Sequence, residues 1–160
     1  DILAVGALVA HKGHSILSEI AKDIHPLRIA IAGVGPLRYD NVQYLGYRTD
    51  IPLLLSQAKV FVHPSTEEGM GQILVEAMLA KVPIIATNVG CIPEVIQEHG
   101  TLVSVGNKEQ LIRAIVQVLD GKHPCLEEAY NYAKQKFSVT KMVEKTITAY
   151  QSILTSLNGN

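Results

Sequence analysis

Apolar residues fall in short runs: Ile2 to Val5, Leu27 to Ala32, Val42 to Leu45, Val60 to Val62, Val82 to Ala86 and Leu102 to Val105, mostly bounded by Gly or Pro. Each run is apolar at nearly every position rather than at alternate ones. That pattern predicts strands buried on both faces, as in a parallel sheet covered by helices. Between most of the runs the spacing turns helical. Ile16, Leu17, Ile20, Ala21 and Ile24 share one face over 15–24, and a shorter stretch over 51–58 repeats the pattern. The fold class is therefore α/β and doubly wound, a parallel sheet of about six strands with helices on both faces. Ligands of such sheets bind beyond the carboxyl ends of the strands, where the crossover direction reverses, and every glycine-rich loop here follows a strand. Beyond the last strand, Asn107 is placed to cap a helix through Leu119 with Gly121 as its stop. Pro124 opens another helix reaching about Lys136, and a final one spans roughly Thr140 to Leu154. The amphipathic C-terminal pair is expected to pack on the sheet edge, or else to cover a neighbour outside the chain.

Composition adds limits. A chain of 160 residues, 48% of them hydrophobic, is long enough for one well-buried core and short for two, so residues 1–160 are read as a single domain. The net charge of −1 and the absence of basic clusters exclude a nucleic-acid surface, which needs many Lys and Arg to replace phosphate counterions. No apolar run approaches the ~20 residues that span a bilayer, and no signal segment opens the chain, so it reads as soluble and intracellular. Cys91 and Cys125 are two thiols without zinc-type spacing, which fits a reducing compartment. Asp1 leads straight into an apolar run, which suggests a piece of something longer.

Candidate chemistry concentrates between His63 and Glu94. An apolar run stops at His63-Pro64, a polar loop follows, and Gly69-Met70-Gly71 opens a run too long for a strand. The free N–H groups and positive dipole end of a helix start make an anion site, and glycines let a ligand approach the main chain, so phosphate is the expected guest. Glu68 precedes Gly69, and Glu76 stands among Ile73, Leu74, Val75, Ala77 and Met78. A carboxylate in such a helix needs a partner. Either Gln72 and Glu76, four apart, form a narrow solvated stripe, or Glu76 turns to the strand ends, where its oxygens suit the vicinal hydroxyls of a ribose. In the first loop Lys12, beside Gly13, is either a solvated lysine or a cation for that phosphate. His11 and His14 have no partner at metal spacing and read as surface residues. Gly33-Val34-Gly35-Pro36 lacks the third glycine of a dinucleotide fingerprint and reads as a tight turn, which sets aside a nicotinamide or flavin site. Gly46-Tyr47-Arg48 offers an aromatic and a guanidinium to flank a flat base. Thr87 to Glu94 closes the same end of the sheet, with Pro93 and Glu94 suited to the first turn of a short helix.

These pieces, in this order, resemble the C-terminal, donor-binding half of GT-B glycosyltransferases of the retaining group 1 class, glycosyltransferase family 4. The matching stretches are VGALVAHKGH, IAGVGPLR, NVQYLGYRTDI, AKVFVHPSTEEGMGQILVEAMLAKVPIIATNVGCIPEVI and FSVTKMVEKTITAYQSIL, with Glu68 and Glu76 at the family's E-x7-E spacing. The resemblance implies a Rossmann-like domain holding a nucleotide-diphosphate sugar at its strand ends. Glu76 would hold the ribose, Glu68 would face the donor sugar, and Gly69, Met70, Gly71, Gln72 and Ile73 would line phosphate and sugar through their backbone. Lys12 would bind the diphosphate and stabilise it as leaving group. The catalytic residues implied are thus Glu68 and Lys12, with no cofactor and no metal.

The implied activity is a hexosyl-type transfer to a saccharide, lipid-linked or other acceptor. Acceptor contacts would come from an N-terminal domain absent from this chain, so the isolated chain is expected to be inactive. The implied location is cytoplasmic, with association of a longer protein at the inner face of the membrane left open. Two departures bear on this. Ala7 stands where the family usually has an arginine, which removes one of two cations at the diphosphate, and Cys91 replaces the second glycine of a Gly-Gly loop. A non-catalytic nucleotide-sugar binding or assembly module, and a GT-B sugar-nucleotide epimerase, are the competing readings.

Overall fold

The computed structural model describes residues 1–158. Six parallel strands, β1 (Ile2–Val5), β2 (Ile29–Ala32), β3 (Gln43–Gly46), β4 (Val60–His63), β5 (Ile84–Thr87) and β6 (Thr101–Val103), lie in the order β3-β2-β1-β4-β5-β6. The helices are α1 (Ser15–Ile20), α2 (Ile51–Gln57), α3 (Gln72–Leu79), α4 (Ile92–Ile96), α5 (Lys108–Leu119), α6 (Leu126–Lys136) and α7 (Val139–Asn158). The fold is the doubly wound, Rossmann-like α/β architecture that the apolar runs predict.

The unbroken apolar runs form central strands because both faces are covered. In β1, Ile2 and Ala4 point into one core and Leu3 into the other; in β4, Val60 and Val62 oppose Phe61; in β5, Ile85 opposes Ile84 and Ala86. The first core is closed by α1 and α5 through Leu17, Ile20, Leu111 and Ile115. The second is closed by α2, α3, α4 and α6 through Leu55, Leu74, Met78, Ile92 and Ala133. At roughly 25 cal/mol per Å² of apolar surface removed from water, these two layers dominate the stabilisation of the sheet.

Two expectations are adjusted. The first helix ends at Ile20 and the chain continues in turns, although Ile24 is still buried. The C-terminal pair does not pack on the sheet edge. Helix α6 lies across α3 and buries Ala129 and Ala133, while every described side chain from 139 to 155 is exposed. Among the described residues no helix is long and apolar enough to cross a membrane.

Candidate functional site

The chain leaves β1 at Val5 and β4 at His63, and these strands are neighbours. The loops 6–14 and 64–71 therefore meet where the strand order reverses, the place where such sheets bind ligands. The first loop ends in a 3-10 turn, Ala10–Lys12, stopped by left-handed Gly13. A Cβ on Gly13 would stand 2.0 Å from the Pro64 carbonyl oxygen, so a side chain there would drive the two loops apart. Thr66 N–H donates to the His11 carbonyl at 2.8 Å. From the other side, the Thr87 hydroxyl at the end of β5 donates to the Ser65 carbonyl at 2.5 Å. Gly90, at φ +55, makes room for the Glu68 carbonyl, which would stand 2.0 Å from a Cβ. The segment 64–68 is thereby fastened from both neighbours.

That fastening brings Lys12 and Glu68, 56 positions apart in sequence, to 2.7 Å between Nζ and Oε2. The same oxygen accepts from His63 Nε2 at 2.8 Å and from Ser65 Oγ at 3.2 Å. Burial pushes the Glu68 carboxyl upward, but the hydrogen bonds from Lys12 and His63 outweigh it and leave the pKa below its ordinary value. Burial lowers the pKa of His63 against the upward pull of Glu68, and Lys12 adds to the lowering. At pH 7 the ring is neutral, so it donates Nε2–H to the carboxylate as a neutral group.

Around this pair Gly71, Gln72, Ile73 and Glu76 join Val5, Gly6 and Ile51 in a groove of ≈ 340 Å³. Helix α3 follows Gly71 with no side chain capping its start, so its first backbone N–H groups are left for a ligand. Gln72 is exposed and Glu76 half-buried, so the stripe they form exists, and it faces the groove. Through Val5, Gly6 and Ile51 the groove continues into a depression of ≈ 260 Å³ bordered by Ala7, Gly33, Val34, Tyr47 and Arg48. Tyr47 is 77% exposed. Arg48 is held by Asp50 at 2.8 and 2.5 Å, so its guanidinium already has a carboxylate partner.

Of the residues singled out in the sequence, Lys12, Glu68, Gly71, Gln72, Ile73 and Glu76 converge on one groove. Gly69 and Met70 do not; they border a separate depression with Cys91 and Phe137. His14 corrects the sequence reading, because it is buried, not on the surface. Its Nδ1 has no hydrogen-bond partner, and burial, with help from His63 and Lys12, lowers its pKa to about 4. His63, Ser65 and Thr87 were not singled out as functional. The signal available for His63 and Thr87 was a polar residue ending a strand otherwise buried on both faces; Ser65, in the loop beyond β4, had none. Among the described residues no group of three or more His, Cys, Asp or Glu is placed to hold a metal ion.

Known proteins share both sequence and fold with this chain. O-antigen chain mannosyltransferase B of Escherichia coli is 34% identical over 114 residues, covering 69% of this chain and 30% of that protein. The gpi3 subunit of the phosphatidylinositol N-acetylglucosaminyltransferase of Schizosaccharomyces pombe is 29% identical over 178 residues, 98% of this chain and 39% of its own. The structure of HepE from Anabaena in complex with UDP superposes with a TM-score of 0.84 at 24% identity, covering 94% of this chain and 48% of that one, a likeness of fold. The chain therefore spans less than half the length of each. The family model described as Glycosyl transferases group 1 matches residues 1–121, and over that stretch, which holds every strand and the whole groove, the chain belongs to the glycosyl transferases group 1 family.

Proposed function

We propose that this chain is the donor-binding half of a retaining glycosyltransferase that moves a sugar from a nucleotide-diphosphate sugar to a saccharide, lipid-linked or other acceptor. The observation that carries the reading is the groove across the carboxyl ends of β1 and β4, lined by a lysine, an uncapped helix start and two carboxylates. In this reading the base lies toward Tyr47, the ribose hydroxyls meet Glu76, and the diphosphate sits on the first N–H groups of α3 and on Lys12. Glu68 faces the sugar.

When the bond from the anomeric carbon to the phosphate oxygen breaks, its electron pair goes to the diphosphate, and Lys12 stabilises the growing charge. The acceptor hydroxyl adds to the same face of the anomeric carbon and passes its proton to the departing phosphate oxygen. Acceptor contacts are supplied by a domain outside this chain, and no metal takes part. The full-length enzyme works in the cytoplasm, at or near the inner face of the membrane.

UDP is the first probe, since HepE is solved with it. Calorimetric titration with UDP, GDP and ADP is expected to give binding for one of the three at or below millimolar concentration; silence with all of them would end the donor-site reading. Glu76→Gln is expected to weaken the preferred ribonucleotide about tenfold more than its 2′-deoxy analogue, since one charge-assisted bond is at stake. Equal losses would return Glu76 to a structural role.

Ala7 favours a second reading, a nucleotide-sugar binding module that no longer catalyses, because Ala7 leaves an exposed position in the groove wall without a cation. A large affinity gain in Ala7→Arg supports that reading, and no gain means that other groups serve the diphosphate.

A further inference from the structure

Three hydrogen-bond donors converge on one oxygen. Lys12 Nζ, His63 Nε2 and Ser65 Oγ all reach Glu68 Oε2, and none of these bonds falls on Oε1. The three donors differ in their freedom to leave. Lys12 extends a four-carbon stem and its side chain is 21% exposed, whereas the His63 side chain is 3% exposed and Ser65 is fully buried. The His63 ring is stacked against Phe61, and the Ser65 backbone is tied to Thr87. An anion entering the groove competes with Glu68 for the ammonium of Lys12, and only the lysine can follow it. A carboxylate with a side chain 12% exposed would then have lost its charge partner, and its orientation would rest on the groups that remain.

We propose that His63, with Ser65 as a second donor, is the positioning residue of Glu68: the ring's Nε2–H pins Oε2 and keeps Oε1 available to a ligand hydroxyl after Lys12 has moved to the diphosphate. The second half of that statement rests on the donor-site reading; the pinning does not. A carboxylate can only accept, so the neutral ring must carry its proton on Nε2. The groups facing the ring are Glu68, Lys12, His14 and the Ser65 hydroxyl. A neutral donor leaves the charge balance of the Lys12–Glu68 pair unchanged, whereas an arginine or lysine at position 63 would compete with the diphosphate for the role of countercharge.

The test exploits side-chain geometry. His63→Gln places an amide N–H2 close to where the ring holds Nε2, His63→Asn places it nearer the Nδ1 position, and His63→Leu has no donor. Carboxyl-carbon NMR on glutamate-labelled protein follows the titration of Glu68, and calorimetry gives the ratio of UDP-glucose to UDP affinity. Losing one bond to a charged acceptor is expected to raise the Glu68 pKa by about one unit in the Asn and Leu variants and to leave it close to wild type in the Gln variant. The affinity ratio is expected to fall about tenfold in the first two and to persist in the third. If Gln and Asn act alike, or if no variant moves Glu68, the pinning role is overturned. Should the Leu variant fail to fold, the Gln and Asn pair decides. If the wild type binds none of UDP, GDP and ADP, the donor-site reading fails while the carboxyl titration still decides the pinning.

Discussion

His14 illustrates how a single buried side chain leaves a mark on the behaviour of the protein. Its folded pKa of about 4 lies below the ordinary 6.5, chiefly through burial. Below pH 6.5 the unfolded chain therefore takes up a proton that the folded chain refuses. Stability is fully present above that value and falls until the folded pKa is reached, by roughly 3 kcal/mol in all. His63 is shifted in the same direction, and Glu68, whose pKa is depressed, adds a further loss as pH falls below the unfolded carboxylate value. Unfolding free energies from urea titration at pH 7 and pH 4.5 are expected to differ by about 2 kcal/mol less in His14→Gln than in the wild type. Parallel pH profiles would show that His14 is not the group responsible. At this scale the sequence was informative where a motif fixes spacing, as for Lys12, Glu68 and Glu76. It was silent on His63 and Ser65 and misleading on His14. The reason is physical: whether a histidine is buried depends on how its own loop folds back over it. The ring of His14 lies over Gly6, with Cε1 3.6 Å from where a Cβ would be, and no local pattern records that contact.

The strands and most helices were legible because a sheet buried on both faces forces unbroken apolar runs, and a helix covering it forces a 3.6-residue period. Asn107 does cap α5, accepting from Gln110 N–H at 2.9 Å, and Pro93 does open α4. What the pattern could not show is how loops are held, since that depends on close approaches of backbone to backbone. Segment 64–68 is the clearest case. It lies between Gly13 and Gly90, and each glycine occupies a left-handed conformation against a carbonyl of the segment. Gly90→Ala would add the left-handed penalty of an ordinary residue and push on the Glu68 carbonyl. A loss of about 2 kcal/mol or more in urea unfolding is expected, together with weaker UDP binding, because Glu68 and the start of α3 would shift as a unit. Unchanged stability with unchanged affinity would show that the β5–α4 loop moves aside without disturbing the site.

On the scale of the whole molecule, two apolar layers enclose the sheet, one ending at Leu119 and the other at Phe137; neither includes a side chain of α7. That helix nonetheless carries Val143, Ile147, Tyr150 and Leu154 along one side, spaced four, three and four apart, and all are exposed. Burial of such a side chain is worth about 1.5–3 kcal/mol only when its surface is removed from water, and here it is not. The stability of the sheet should therefore be indifferent to this stripe, although a comparable set of changes in α5 would unfold the chain. Val143→Ser, Ile147→Ser and Tyr150→Ser combined are expected to leave the unfolding free energy in urea within about 0.5 kcal/mol of wild type, with near-ultraviolet circular dichroism of the remaining tyrosines reporting the core. Far-ultraviolet helicity is expected to stay close to wild type, since serine ranks with isoleucine, tyrosine and valine as a helix former. A loss above about 1 kcal/mol would mean that α7 lies against the sheet layers in solution and that its apolar side contributes to the same cooperative unit as the groove.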